Sequence, residues 1–332
     1  MTASVLATLP LPDPFTAMVS ARAELTVAGA ILPPADLQAR LRQGVDVLCP
    51  QLRDRVDGAL LDAGLPRLRA VCNYAVGFDN VDVAAATERG VVVTNTPGVL
   101  TDATADCAMG LMLAAARRLC EGDGEMRAGR YTGWEPEYLL GLDLNGAVLA
   151  VVGFGRIGQA VARRALAFNM TVLYVEDNDV PIDPALSGQV RRVDFDTAVG
   201  EADVISLHTP LTAQTRHLVG EAVLRAMKPT SVLVNTSRGP VIDEAALVRA
   251  LKEGWIAAAG LDVYEREPEM AAGLAECRNA VLAPHLGSAT VKTRAAMARL
   301  CAENALAALD GRVPPTCLNP EAWSGGAPAA VS

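Results

Sequence analysis

The sequence predicts an α/β protein whose parallel sheets are divided between two domains. The chain has 332 residues, which is more than a single hydrophobic core ordinarily organises. Short apolar runs alternate with helical patterns in two successive series, a rhythm typical of parallel strands joined by helices. The runs are apolar almost throughout, as expected for strands that are covered on both faces.

The first series lies within the first hundred residues. Short apolar runs predict strands over 44–50 and 67–73, and the run that begins at Val91 predicts another. The stretch from Val81 to Gly90 has the pattern of a helix that ends at its glycine. These elements are therefore expected to belong to one parallel sheet.

A long helix is predicted from Thr101 to Leu119. Thr101 or the next residue can cap its first turn, and Arg117 and Arg118 complement the negative end of the helix dipole. Its many alanines and its glycine would let another helix approach closely. The stretch that follows, 127–146, is polar, aromatic and rich in turn-forming residues, so we expect an exposed arm there.

The second series begins at Ala147 and predicts six strands. Their sequences are AVLAVVG, MTVLYVE, ADVISLH, TSVLVNT, IAAAGLDV and NAVLAP. A last helix is predicted from about Ala289 to Leu309. Residues 321–332, composed mainly of glycine, alanine and proline after a tryptophan, are expected to form a flexible tail.

The composition excludes several classes of function. The net charge is −9 and the arginines are scattered, so no nucleic-acid binding is expected. No apolar run approaches the ~20 residues of a membrane span, so no membrane association is expected. The seven cysteines form no C-x-x-C pair, which indicates neither a metal site nor a disulfide framework. Without a basic and apolar leader, the expected location is the cytoplasm.

The sequence GFGRIG forms a glycine-rich loop between a predicted strand and a predicted helix. The first glycine permits a tight turn, the second lets the backbone approach a pyrophosphate, and the third lets the helix pack on the strand. The pattern alone is weak, but this context is the one that dinucleotide binding requires. The predicted cofactor contacts of the loop are Gly153, Phe154, Gly155, Arg156, Ile157 and Gly158.

Glu176 ends the next predicted strand, 18 residues after Gly158. An acid there can accept hydrogen bonds from the adenosine ribose and repels a 2′-phosphate. Asp177 and Asp179 add negative charge, and no arginine or lysine follows before Arg191. The turn therefore favours NAD over NADP as the cofactor.

Charged residues follow three later strands: Arg238 after the fourth of the six, Asp262 and Glu267 after the fifth, and His285 after the sixth. Parallel strands end at the same edge of a sheet, where ligands bind. We therefore expect these side chains to gather beside the glycine loop. Taken alone, the sequence around His285 favours a histidine whose ring is satisfied near a strand end.

The chain resembles the D-isomer-specific 2-hydroxyacid dehydrogenases. The resemblance rests on NYAVGFDNVDV, GFGRIGQAVARR, VNTSRGPVIDEAAL with AGLDVYEREP, and PHLGSAT, which occur in the family's order over roughly 45–315. The segments TPGVLTDATAD and RAGRYTGWEPEYLLG are most similar to the glyoxylate/hydroxypyruvate reductase branch. The resemblance implies two Rossmann-like domains with parallel sheets. The substrate-binding domain would be discontinuous, comprising 1–98 completed by 290–320, and the NAD-binding domain would be 99–289.

The resemblance also assigns catalytic roles. Reduction of a 2-oxo acid needs a proton donor for the carbonyl oxygen, and an imidazole titrates close to working pH. His285 would be the general acid, Glu267 would orient its ring, and Arg238 would hold the substrate carboxylate and carbonyl oxygen. Backbone N–H groups of Val76 and Gly77 would also hold the carboxylate.

Further cofactor contacts follow from the same resemblance. Asp262 would bond the nicotinamide carboxamide, and Thr104 would lie near the cofactor. The remaining predicted contacts are His208, Thr209, Pro210, Thr215, Thr236, Ser237, Arg238, His285 and Gly287. The helix at Thr101 and the aromatic arm resemble the family's dimer interface, so a homodimer is expected. Trp134 or Tyr131 would then help to select the substrate or serve the interface alone.

Several alternatives stay open within the family. Phosphonate dehydrogenases carry a lysine where this chain has Val76, which disfavours phosphite as the substrate. The amide-bearing pocket of formate dehydrogenases is not evident. Many glyoxylate/hydroxypyruvate reductases prefer NADPH, whereas the turn here reads EDND, so D-lactate-type or bulkier 2-oxo acids remain possible. An NAD-sensing corepressor is a further alternative from another functional class.

Overall fold

The structure is a computed structural model and describes residues 2–323. The chain divides into two compact units, one of Met1–Leu100 with Thr290–Ser332 and one of Thr101–Ala289. The predicted flexible tail lies largely outside the described residues. Among those residues, no helix is long and apolar enough to cross a membrane.

The first unit is built on a five-stranded sheet of order β2-β1-β3-β4-β5 in which all neighbours are parallel. Its strands are β1 (Ser4–Ala7), β2 (Glu24–Val27), β3 (Val47–Cys49), β4 (Ala70–Cys72) and β5 (Val92–Thr94). Its helices are α1 (Phe15–Ser20), α2 (Pro34–Leu41), α3 (Gly58–Gly64), α4 (Val83–Glu88) and, from the second chain segment, α11 (Val291–Leu309).

The second unit is built on a seven-stranded parallel sheet of order β12-β11-β10-β9-β6-β7-β8. Its strands are β6 (Val148–Val152), β7 (Thr171–Val175), β8 (Val190–Arg192), β9 (Val204–Leu207), β10 (Val232–Asn235), β11 (Ala258–Leu261) and β12 (Ala280–Leu282). Its helices are α5 (Thr101–Ala116), α6 (Leu119–Arg127), α7 (Arg156–Ala167), α8 (Phe195–Glu201), α9 (Glu221–Ala226) and α10 (Glu244–Glu253).

The central strands of the second sheet are buried on both sides. Every residue of β9, β10 and β11 is buried, which explains their largely apolar sequences. Several helices begin at an aspartate whose carboxylate accepts a backbone N–H of the first turn, as Asp194 does for α8 and Asp243 for α10. These caps fix where each helix leaves the sheet.

The predicted fold class is confirmed, since both units are α/β with parallel sheets. The helix predicted from Thr101 to Leu119 is interrupted, however. Arg118 has a φ of 52°, a left-handed conformation that breaks the helical hydrogen-bond pattern, so α6 starts separately. The edge strands β2 and β8 and the interior strand β1 were not among the predicted strands.

Candidate active site

The glycine loop joins β6 to α7, and its first and third glycines meet a steric requirement. Gly153 has a φ of 90°, and a Cβ there would lie 2.7 Å from the carbonyl carbon of His208. At Gly158 a Cβ would lie 2.2 Å from the oxygen of Gly153. At Gly155, by contrast, a Cβ would meet nothing within 4 Å. The loop is therefore tight on the protein side and open at its middle glycine, where a pyrophosphate could approach the N-terminus of α7.

Phe154 and Glu176 connect the loop to the turn after β7. The Phe154 ring is fully buried and stacks on Tyr174 with centroids 4.0 Å apart, so its side chain faces the core. Its N–H donates to Oε2 of Glu176 at 2.9 Å, and the N–H of Asn178 donates to Oε1 at 3.2 Å. The Glu176 carboxylate is thus oriented beside the loop, where acceptors for ribose hydroxyls are needed.

The carboxyl ends of β9 and β10 carry buried hydroxyls. Thr209 Oγ1 and Thr236 Oγ1 have no hydrogen-bond partner among the described residues, although buried polar atoms are nearly always paired. Between them in sequence, Thr215 uses its hydroxyl to close a turn, donating to the Pro210 carbonyl at 2.7 Å. Thr209 and Thr236 are therefore better placed than Thr215 to bond a ligand.

His208, which directly follows β9, is held neutral by its surroundings. Burial lowers the pKa of its imidazole from the ordinary value to about 4. Its Nε2 lies 2.8 Å from the hydroxyl of Ser206. The imidazole of this residue, whose backbone lies against Gly153, is consequently uncharged at neutral pH.

The turn after β10 positions Arg238. The buried Asn235 accepts the N–H and the hydroxyl of Ser237 at 2.9 and 2.8 Å, and donates to the Arg238 carbonyl at 2.9 Å. A Cβ at the next residue, Gly239, would lie 1.8 Å from the backbone carbon of Tyr264. Asn235 was not predicted as a site residue, although a polar residue ending an apolar strand was a visible signal.

Asp262 holds the turn that carries His285. Its buried carboxylate accepts the N–H groups of Leu286 and Gly287 at 2.5 and 2.7 Å, and its carbonyl accepts that of His285 at 2.9 Å. Burial raises the pKa of Asp262, while these backbone hydrogen bonds oppose the rise. A Cβ at Gly287 would lie 3.2 Å from this carboxylate and 3.4 Å from Thr104. Asp262, Gly287 and Thr104 thus lie together.

His285 and Glu267 form a pair at the end of β12. His285 Nδ1 lies 2.9 Å from Glu267 Oε2, while the other oxygen of Glu267 accepts the N–H of Tyr264 at 3.1 Å. Burial favours a higher pKa for Glu267, but the hydrogen bond and charge of His285, with the charge of Arg238, bring it below the ordinary value. His285 and Glu267 are therefore in direct contact, Glu267 is ionised, and the charge of Arg238 also acts on Glu267.

A second buried carboxylate, that of Glu244, was not predicted. It accepts the N–H of Glu265 at 2.7 Å and that of Ala271 at 2.9 Å, so it joins both sides of the loop that contains Glu267. Burial raises its pKa. Only its place in the helical pattern between two predicted strands could have drawn attention to it, and a glutamate early in such a pattern suggests a dipole role instead.

The predicted carboxylate-binding turn, Val76–Gly77, lies in the first unit after β4. The carbonyl of Ala75 accepts the N–H of Thr96 at 2.8 Å, and that of Val76 accepts the Asn95 amide at 2.7 Å. Because a trans peptide directs its N–H opposite to its C=O, these bonds fix the N–H directions of Val76 and Gly77.

The aromatic arm is as exposed as expected. The Trp134 side chain is 81 % exposed and Tyr131 46 %, and the Tyr131 and Tyr138 rings lie 6.2 Å apart. The described residues contain no cluster of three histidine, cysteine or acidic side chains suited to a metal ion.

The residues of the second unit fit a nicotinamide dinucleotide. The open backbone at Gly155, the oriented Glu176 carboxylate and the unpartnered hydroxyls of Thr209 and Thr236 lie along the carboxyl ends of neighbouring strands. A family model described as D-isomer specific 2-hydroxyacid dehydrogenase, NAD binding domain, matches residues 109–287. The chain belongs to this family.

Its relatives extend the match over nearly the whole chain. It is 48 % identical over 300 residues, 89 % of this dehydrogenase and 90 % of the relative, to a glyoxylate reductase of Thermococcus litoralis. A glyoxylate reductase structure from Paecilomyes thermophila has 34 % identity and a TM-score of 0.86, covering 96 % of this chain and 98 % of that one.

An NADPH-dependent glyoxylate/hydroxypyruvate reductase from Sinorhizobium meliloti, solved with NADP and malonate, has 33 % identity and a TM-score of 0.86 and is covered along its full length. The family match confirms the family and NAD as a cofactor, and the solved structures confirm the fold. The roles of individual residues in this dehydrogenase stay predictions.

Proposed function

We propose that this dehydrogenase reduces a small 2-oxo acid, glyoxylate or hydroxypyruvate, to the D-2-hydroxy acid with NADH. The observation that carries the proposal is the 2.9 Å pair of His285 and Glu267, on which the charge of Arg238 also acts, in the same unit as the glycine loop. Relatives described as glyoxylate reductases support the choice of substrate.

The glycine loop and Glu176 would hold the dinucleotide at its pyrophosphate and adenosine ribose, and Thr209 and Thr236 would offer hydroxyls along the strand ends. When bound, NADH supplies the hydride that reduces the carbonyl carbon. Asp262 already accepts two backbone N–H groups, so its predicted bond to the carboxamide would be an additional one.

Proton transfer is assigned to His285. With Nδ1 hydrogen-bonded to Glu267, Nε2 is the ring nitrogen left to donate a proton to the carbonyl oxygen. The ionised Glu267 stabilises the imidazolium, and Arg238 stabilises the negative charge that develops on the oxygen. After the step the ring is neutral and takes a proton from solvent, so the balance is one hydride and one proton added to the carbonyl.

We also propose that the unit Thr101–Ala289 is the NAD-binding domain, that the other unit binds substrate through Val76 and Gly77, and that the protein acts as a homodimer in the cytoplasm. The matched NAD-binding family model supports the first assignment. The exposed apolar side chains of the arm support the dimer.

The decisive assay follows the loss of NADH absorbance with glyoxylate, hydroxypyruvate, pyruvate and longer 2-oxo acids, repeated with NADPH. Faster turnover of the two small acids with NADH is expected. Turnover of only the longer acids would overturn the substrate assignment, and activity with NADPH alone would overturn the cofactor preference.

A further inference from the structure

An arginine lies at the acidic turn after β7, although the turn itself contains none. We infer that Arg192, on the neighbouring strand β8, is a cofactor-specificity residue that gives the ribose end of the dinucleotide site an affinity for a 2′-phosphate, which Glu176 opposes. The inference rests on the proposed cofactor site, and its test measures binding so that it can fail independently of the oxo-acid activity.

The position of Arg192 follows from the pairing of β7 with β8, which places Arg192 opposite Tyr174. Its Nε and Nη2 donate to the backbone oxygen of Glu176 at 3.1 and 2.5 Å, and its Nη1 donates to Oδ1 of Asp179 at 3.2 Å. The guanidinium is thus bound to the residue whose carboxylate is expected to accept the ribose hydroxyls.

The negative charge of Glu176 and the positive charge of Arg192 are therefore both expected to act on a group at the ribose 2′ position. The Glu176 carboxylate, fixed by the N–H groups of Phe154 and Asn178, would repel a 2′-phosphate. Arg192 carries the planar set of donors that suits a phosphate. Cofactor preference is then set by the balance of Glu176 and Arg192 and not by the acidic turn alone.

Arg192 can exchange one partner without leaving the turn. The Asp179 side chain is fully exposed, and ion pairs of this kind are screened and weak. The two hydrogen bonds to the Glu176 carbonyl keep the guanidinium in place. A 2′-phosphate could therefore replace Asp179 as the anion that Arg192 bonds.

Arg191 provides a matched control on the same strand. Successive side chains of a strand point to opposite faces, and Arg191 pairs with Glu201 at 2.5 Å. Replacing Arg191 removes the same charge from the protein without removing the guanidinium that bonds the Glu176 turn.

The experiment measures dissociation constants of NADH and NADPH by nicotinamide fluorescence for the wild type, R192Q, R191Q, E176Q and E176Q/R192Q. These dinucleotides differ only in the 2′-phosphate, so the ratio of their constants isolates it. We expect R192Q to weaken NADPH relative to NADH by about tenfold and R191Q to change the ratio by less than about twofold. E176Q should strengthen the binding of NADPH relative to NADH by about tenfold. In the double variant E176Q/R192Q this increase should be absent.

Two results would overturn the inference. If R192Q and R191Q change the ratio equally, only net charge matters. If R192Q weakens both dinucleotides equally, Arg192 shapes the turn without reading the phosphate. If NADH binds as expected but no oxo acid is reduced, the proposed function fails while the assignment of Arg192 stands.

Discussion

His285 lies in a backbone conformation that residues with a side chain rarely adopt, with a φ of 55°. The surrounding bonds compensate for this strain, because Asp262 accepts the N–H groups of three consecutive residues, His285, Leu286 and Gly287. Glu267 then fixes the ring through Nδ1. A residue held this firmly at a strand end is well suited to donate a proton along one direction.

Replacing His285 with alanine should lower kcat at least ~100-fold, the lower range for loss of a general acid. The control is H217A, because His217 also pairs with a glutamate, Glu265, at 2.8 Å and is not assigned to the site. Steady-state kinetics with glyoxylate measures both variants. A kcat of H285A within a few-fold of the wild type, or an equal loss in H217A, would contradict the role of His285.

His208 should make stability depend on pH. Its pKa of about 4 in the folded protein is below the ordinary 6.5, so between these values the unfolded chain binds the proton better. Stability is therefore lost as pH falls from 6.5 towards 4, by about 2 kcal/mol for this group.

The measurement for His208 is the free energy of unfolding in urea at pH 7 and at pH 4.5. In H208Q, which cannot be protonated, the decrease between the two pH values should be smaller by about 2 kcal/mol. If the free energy of unfolding falls equally in H208Q and the wild type, His208 takes up a proton as readily in the folded protein as in the unfolded chain.

At the scale of elements, Glu244 joins helix α10 to the loop after β11. Its carboxylate accepts N–H groups six residues apart, at Glu265 and Ala271, and the segment between them includes Glu267. Through these bonds the start of α10 limits the positions that Glu267 can take. Such a connection predicts that Glu244 affects catalysis without touching the substrate.

The variant E244Q should lower kcat by about tenfold, because an amide nitrogen cannot accept the second N–H and one bond of the loop is lost. KM for NADH should change little. The control is E253Q on the same helix, since Glu253 is exposed and bonds only the Trp255 ring nitrogen among the described contacts. Equal kcat in E244Q and E253Q would show that Glu244 does not position the loop.

The same elements show what the sequence could and could not predict. Strands buried on both faces, such as β9 and β10, were visible as apolar runs. The edge strand β8 contains two exposed arginines and carries no such signal, which is why Arg192 could not be placed beside Glu176. Edge strands are specified by pairing with a neighbour, and that pairing is a long-range property.

The site residues also divide into those that the sequence could predict and those that it could not. Arg238, Glu267 and His285 were predicted because parallel strands end at one edge of a sheet and because their motifs resemble those of the family. Glu244 and Asn235 were missed because their partners are backbone N–H and C=O groups, and the sequence does not indicate which backbone groups a side chain reaches. Sequence motifs thus indicate groups that face a ligand better than groups that support them.

At the scale of the whole molecule, the arm and α6 leave large apolar side chains exposed. Met126, Trp134 and Leu140 are 61 %, 81 % and 64 % exposed, and a cavity beside them is lined by Leu119, Tyr131 and Tyr138, among others. Apolar groups gathered in this way indicate an interaction surface. A second copy of the chain is the occupant that the proposed homodimer requires.

If the arm forms the dimer interface, a charge within it should separate the subunits, because burying an unpaired carboxylate costs several kcal/mol. We expect the wild type to have twice the 34.7 kDa chain mass by light scattering and L140D to have the mass of one chain. The control V313D places the same charge on another exposed apolar residue, 50 % exposed, and should stay dimeric. A dimeric L140D would remove the arm from the interface, and a monomeric wild type would refute the homodimer.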